Sequence, residues 1–280
     1  MKLAIGLFAM ALLTWALFTM QIQDDEHPQI SASSQQFAQS AQSSFEKLRS
    51  AGFANGLETP ALGALPSKEF ELLVSAIQSE APISGVGIGT RGIKYDVILQ
   101  SGHYGRPPGP VGTSGHLVSE RALVAYITNV TADELRREGN SVLVLSADHY
   151  LRPTPGHAGF DGLKAKVFIA IHADGSVKPC STGPSLGYQS NSSLLAMHAV
   201  GWSLASALGY RYSDFNHDNF TANEAQYYMF RQVQADRLTG LLEVGELTCP
   251  NSERDLISSS KLVGRNIARA LTFIVQTPTE

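Results

Sequence analysis

The stretch Tyr95–Arg106 reads YDVILQSGHYGR, and the fold follows from how it is parsed. Val97, Ile98 and Leu99 form a short apolar run that breaks at Ser101-Gly102 and delivers His103. A run of this length ended by a glycine turn predicts a buried strand with a functional loop at its tip. Open α/β sheets bind ligands just beyond the carboxyl ends of their strands, which is where His103 falls. One loop histidine is weak evidence alone, but the pattern recurs downstream.

Val142–Leu145 is a second apolar strand, and Lys166–His172 (KVFIAIH) is a third that again ends on a histidine. Gly240-Leu241-Leu242 forms a short strand ending at Glu243, with Glu246 close behind. Between these lie predicted helices over Leu117–Arg137, Ser192–Gly209 and Asn223–Arg237, and a last one over Asn251–Ile274. Polar loops follow Val142–Leu145, to Gly162, and fill Tyr210–Ala222. Pro66-Ser67 opens an earlier helix, with Phe70, Leu73, Val74 and Ile77 on one face. Strands alternating with helices predict an α/β layered domain with a largely parallel sheet.

Within the helix starting near Leu117, the residues Leu123, Val124 and Ile127 stand three, four and seven positions after Glu120. Glu120 therefore lies on the buried stripe. A buried carboxylate needs an arginine, a proton or a metal beside it, so a plain buried salt bridge competes with a ligand role. His198 falls on an apolar helix face and reads as a core histidine. Gly87-Ile88-Gly89-Thr90-Arg91-Gly92 has the G-x-G-x-x-G spacing, but it runs into a strand instead of a helix and reads as an entry loop.

Three strand tips thus supply His103, His172 and Glu243, and a helix face supplies Glu120. In a parallel sheet the tips share one edge, where the four can meet. Two histidines and a carboxylate are a catalytic zinc set that leaves a coordination position for water. Glu243 is the candidate general base and acid; Glu246, three residues past the tip, is expected to face solvent.

The chain has 280 residues, a formal charge of −4 and no basic run, which argues against nucleic-acid binding. Its two cysteines, Cys180 and Cys249, exclude a cysteine-based zinc cluster. Each comes after one of the site-bearing strands, so they are either one disulfide or two separate thiols. Met1-Lys2 precedes an uncharged apolar run from Leu3 to Met20, with Asp24-Asp25-Glu26 shortly after it. That charge order predicts export of the chain beyond the run. Residues 1–22 are read as a signal-anchor or signal peptide that attaches the chain to the cytoplasmic membrane through 3–20. Residues 23–65 are read as a Ser/Gln/Ala-rich linker, partly helical over Phe37–Arg49, and 66–280 as a catalytic domain with an N-terminal packing helix.

The order and context of these residues resemble the zinc-dependent N-acetylmuramoyl-L-alanine amidases of the bacterial cell wall. The matching segments are Ile98–Gly105 (ILQSGHYG), Glu120 in its helix, Phe168–Gly175 (FIAIHADG), Leu241–Glu253 (LLEVGELTCPNSE) and Arg265–Leu271 (RNIARAL), together spanning roughly residues 94–275. The family's usual Asp-Pro before the first Gly-His is replaced here by Gln100-Ser101, and Tyr104 and Glu246 also depart from its pattern.

The resemblance implies a mixed, mostly parallel sheet of about six strands with helices on both faces. It implies one zinc ion held by His103, Glu120 and His172, with Glu243 as catalytic carboxylate. It also implies hydrolysis of the amide joining N-acetylmuramic acid to L-alanine in peptidoglycan, outside the cytoplasm. Tyr104 and Arg106 flank His103 and are the substrate-contact candidates. The rival readings are a zinc peptidase acting within the stem peptide and a non-catalytic, membrane-tethered wall-binding protein.

Overall fold

The computed structural model describes residues 42–44, 46–60, 65–106, 112–149, 159–189, 191–210, 212 and 227–278. The apolar run 3–20, the first part of the expected linker, the proline-rich loop at 107–110 and most of the loop at 210–222 lie outside these. From Ser43 onward the described residues form one unit. Among the described residues, no helix is long and apolar enough to cross a membrane.

Six strands form one sheet: β1 Val86–Gly87, β2 Lys94–Ser101, β3 Val142–Leu145, β4 Leu163–Asp174, β5 Ser185–Tyr188 and β6 Val233–Glu246, ordered β1-β3-β2-β4-β6-β5. All neighbouring pairs are parallel except β5 with β6. This is the mixed, mostly parallel six-stranded sheet the sequence implied. From β2 the chain steps to β3 on one side and then to β4 on the other, goes out to the edge strand β5 and returns to β6 between β4 and β5. The carboxyl ends of β2 and β4 therefore flank the point where strand order reverses, the place where open α/β sheets take ligands.

Four helices complete the described fold: α1 Ser67–Gln78, α2 Glu120–Arg137, α3 Leu194–Leu208 and α4 Pro250–Gln276. Helix α2 starts where Ser119 accepts a hydrogen bond from the Ala122 amide, and it carries Glu120 in its first turn and Arg136 and Arg137 in its last, matching the helix dipole. Helix α4 opens with Pro250, where a missing N–H costs nothing. All four pack on one face of the sheet, against Val97, Leu99, Val167, Ile169, Ile171 and Leu242. Side chains alternate across a strand, so Ile98, Phe168, Ala170 and Leu241 point to the other face. There they meet Phe160, Tyr227, Met229 and Phe230, the last two from a 3-10 helix at Tyr228–Arg231.

Two elements differ from expectation. The helix expected over Asn223–Arg237 is reduced, in its described part, to a 3-10 turn over Tyr228–Arg231, and Val233–Arg237 is the first third of β6. Val233 and Ala235 are buried while Gln234 and Asp236 are exposed, a two-residue alternation that makes a half-solvated strand. Strand β5 has no counterpart among the expected elements, because four residues with one glycine carry no usable period. Gly87–Gly92 joins β1 to β2 without an intervening helix, as an entry loop.

The segment before α1 packs into the domain. Residues 46–50 are helical, Leu48 is fully buried and Phe53 packs edge-on to Trp202 and tilted against Phe273. Glu58 pairs with Arg265 and Arg269, and its backbone bonds both ends of the Asn266 amide. Cys180 is disulfide-bonded to Cys249, tying the loop after β4 to the N-cap of α4. Because Leu48 is a core residue, Leu48→Ala should lower unfolding free energy by about 2–5 kcal/mol, read as a shift of the urea midpoint at constant slope.

Candidate metal centre

The site assembles at the carboxyl edge of β2, β4 and β6. Ser101 pairs with Ile171, so Gly102 lies level with His172. A Cβ at Gly102 would sit 2.7 Å from His172 Nδ1, so glycine is what lets the imidazole approach this turn. His103 comes next with φ 60, a left-handed conformation that costs an L-residue roughly 1–2 kcal/mol. Three backbone bonds hold the turn: Gly102 N–H to Ile171 O, Tyr104 N–H to Ser101 O, and Asp148 N–H to Tyr104 O.

Glu120 reaches the same place from the N-terminus of α2 and is buried. Its Oε2 accepts from His103 Nε2 at 3.1 Å and from the Thr113 amide at 2.9 Å. Its Oε1 accepts from His172 Nδ1 at 3.0 Å and from the Ala173 amide at 3.3 Å. One donor atom each from His103, Glu120 and His172 lies within 4.8 Å of the others. Glu120 thus meets two imidazoles directly, which are its buried ion-pair partners in the metal-free protein and also the companions a ligand role would need.

The donor chemistry fits a zinc ion. Two imidazole nitrogens and one carboxylate converge, with Glu120 and His172 buried and His103 half-buried, which is the composition of catalytic zinc sites. The Glu253 carboxylate of α4 fixes the approach to Glu120, accepting from the His116, Leu117 and Val118 amides at 3.0, 2.7 and 3.0 Å. Nothing in the sequence pattern distinguished this buried acid from other first-turn glutamates.

Burial alone would raise the Glu120 carboxyl, but the hydrogen bonds and charges of His103 and His172 outweigh it and hold the pKa well below the usual range. Burial likewise depresses His172, but the Glu120 hydrogen bond and the charges of Asp148, Glu120 and Glu243 raise it to about 9. In the metal-free protein His172 is thus an imidazolium clasped by carboxylates.

Glu243 is the register partner of His172 on the next strand and points to the same face, partly exposed. Glu246 is corrected: it is buried instead of facing solvent. It accepts from the Cys180 and Thr182 amides at 2.8 Å each and from the Thr182 and Thr248 hydroxyls. Burial opposes its charge, but those donors lower its pKa. The sequence could not show the loop after β4 folding back onto it. Arg106 turns its guanidinium inward, onto Asp148 and onto His103 Nδ1 at 3.0 Å. Tyr104 is half-buried against the core. His198 is buried against Tyr212 in the helical layer, as its apolar helix face implied.

Sequence reasoning missed Asp148, which is buried and bonded to Arg106, to Tyr227 and to the His103 amide. The signal existed: Asp148 comes just after the apolar run Val142–Leu145, as His103 does after β2.

No family model and no curated protein sequence matches the chain. Among solved structures it is similar to an N-acetylmuramoyl-L-alanine amidase from Clostridium difficile 630, at 18% identity and a TM-score of 0.49 over 66% of this chain and 99% of that one. The catalytic domain of CwlV, an N-acetylmuramoyl-L-alanine amidase from Bacillus (Paenibacillus) polymyxa var. colistinus, is 21% identical with a TM-score of 0.46, over 63% of this chain and 96% of that one. The amidase AmiC2 of Nostoc punctiforme is 19% identical with a TM-score of 0.48, over 68% of this chain and 100% of that one. Likenesses this low do not carry an activity across.

The raised His172 pKa has a consequence for stability. The folded metal-free protein holds this proton to about pH 9, whereas an unfolded histidine releases it near 6.5. The stabilisation is therefore complete below pH 6.5 and lost as pH rises through about 9. The Tm of the metal-free protein should fall across that window, and His172→Asn should flatten this part of the profile.

Proposed function

We propose that the chain is a zinc-dependent amidase that hydrolyses the bond between the lactyl group of N-acetylmuramic acid and L-alanine in peptidoglycan. The observation that supports this most is the convergence of His103, Glu120 and His172 on one point, with Glu243 level with His172 one strand away. The substrate class is suggested by the sequence segments around His103, His172 and Glu243, which resemble those of cell-wall amidases.

His103, Glu120 and His172 would hold the zinc ion. When bound, it supplies a Lewis acid for the scissile carbonyl and lowers the pKa of a water to about 7. Glu243 takes the proton of the attacking water and delivers it to the departing alanine nitrogen, the two halves of general base and acid work. Its partial exposure lets substrate reach it. Glu246 cannot take this role while four donors occupy its oxygens. Arg106, whose Nη2 is bonded to Asp148, and Tyr104 flank His103 and are assigned to the peptide carboxylates of the substrate.

Residues 1–22 are assigned to export and anchoring, with 3–20 in the cytoplasmic membrane, 23–65 to a connection whose described part packs on the domain, and 66–280 to catalysis in the periplasm or an equivalent extracytoplasmic space. The Cys180–Cys249 disulfide supports an oxidising compartment.

Purified protein incubated with peptidoglycan should release intact stem peptides that begin at L-alanine, identified by mass spectrometry. Peptides cut internally would instead assign a stem peptidase, and no release would refute the hydrolase. Glu243→Gln should lower kcat by about 10²–10⁴-fold while leaving the zinc content, measured by elemental analysis, unchanged.

A further inference from the structure

We propose that Asp148 is the positioning residue of this centre: its carboxylate takes the Nε2 hydrogen of His172, so that Nδ1 is the nitrogen presented to the cation, while the same group fixes the turn that carries His103. The assignment rests on the zinc reading above.

Two independent sets of contacts point to it. First, Asp148 is buried just beyond the carboxyl end of β3, and it grips the His103 turn at several points. Oδ2 accepts from the His103 amide at 2.9 Å and from Arg106 Nη2, while the Asp148 amide donates to Tyr104 O at 2.8 Å. Oδ1 lies 2.8 Å from the Tyr227 hydroxyl, whose one hydrogen is shared between Asp148 and Gln100 Oε1 and which packs against the carboxylate. The left-handed conformation of His103 is thus held from the segment after a neighbouring strand as well as from its own turn.

Second, His172 Nε2 is buried and has no hydrogen-bond partner among the described residues. It faces Asp148 Oδ2 at 3.9 Å. A neutral imidazole has one N–H and one lone pair. The Nδ1 atom already points at Glu120, so a lone pair offered from Nδ1 leaves the hydrogen on Nε2, inside the protein. A buried N–H without an acceptor is expensive, and ligating histidines donate that hydrogen to a carboxylate, carbonyl or water. The 3.9 Å gap is too long for a hydrogen bond and too short to seat a water between the atoms, so a small tilt of the ring must close it. One carboxylate therefore orders both imidazoles, one through its backbone and the other through its ring.

The test uses the full chain with ¹⁵N-labelled histidine, loaded with zinc. Long-range ¹H–¹⁵N spectra should show His172 as the Nε2–H tautomer with a slowly exchanging hydrogen. The Nδ1–H tautomer, or an Nε2 hydrogen in rapid exchange with water, would overturn the assignment. Asp148→Asn, which keeps the size but lacks the second acceptor oxygen, should weaken zinc binding about 10–100-fold in chelator competition and shift the visible spectrum of the cobalt(II)-loaded protein. Unchanged affinity and an unchanged spectrum would also overturn it. Should Asp148→Asn not fold, Tyr227→Phe keeps the carboxylate and loosens its plane; it should retain the tautomer with a smaller loss of affinity, and an altered tautomer would count against the assignment. If the parent protein binds neither zinc nor cobalt(II), the zinc reading itself fails, an outcome distinct from each of these.

Discussion

The structure depends on a buried carboxylate clasped between two imidazoles. Taking the Glu120 charge out of water is costly, and only good geometry with further hydrogen bonds offsets that cost. Here four donors meet its two oxygens, two of them from rings and two from backbone amides. The four donors come from three pieces of the fold: the turn after β2, the end of β4, which supplies two, and the loop entering α2. The sheet edge, the helix start and the connecting loop must therefore all be in place before the charge can be buried. Glycines mark how tight the arrangement is, since a Cβ at Gly112 would lie 2.1 Å from Glu120 Oε2 and one at Gly102 would meet the His172 ring.

The acidic residues near this edge divide by what reaches them. Glu253 and Glu246 are carboxylates turned onto backbone amides, one holding the loop ahead of α2 and the other the loop after β4. Their charge is used to freeze two segments that would otherwise leave buried N–H groups unsatisfied. The Cys180–Cys249 bond reinforces the second of these, and Cys249 is also the N-cap of the helix that carries Glu253. Loop, disulfide and helix start thus form one connected support behind His103, Glu120 and His172. Glu243 has a different neighbourhood, level with His172 on the sheet face opposite the helices.

Where the sequence was legible, it was because period and punctuation coincide. Val97–Leu99 and Val167–Ile171 are apolar runs that stop on a turn, so their terminal histidines could be placed at strand tips without knowing the pairing. Glu120 was legible because a carboxylate on a helix stripe is an anomaly that demands a partner. Val233–Arg237 was misread because Gln234, Asp236 and Arg237 suggest a solvated helix face, whereas their alternation with Val233 and Ala235 belongs to a strand whose outer end is half-exposed. The fate of Glu246 was not legible at all: it depends on a loop some 64–66 residues earlier folding back across the strand end. Contacts of that separation are set by the tertiary fold and leave no local pattern.

The strained backbone at His103 shows how these elements act together. A left-handed residue without glycine persists only if its surroundings over-determine it. Its amide is taken by Asp148 from the segment after β3, its flanking amides by β2 and β4, and its ring by Glu120 from α2. Four elements therefore spend binding interactions on one unfavourable dihedral. A histidine in ordinary extended geometry would continue the line of β2, and alternation would turn its side chain to the helix-covered face instead of toward His172. The strain is the means by which a strand end turns a side chain across the sheet edge, and it fixes the direction of the His103 ring toward Glu120.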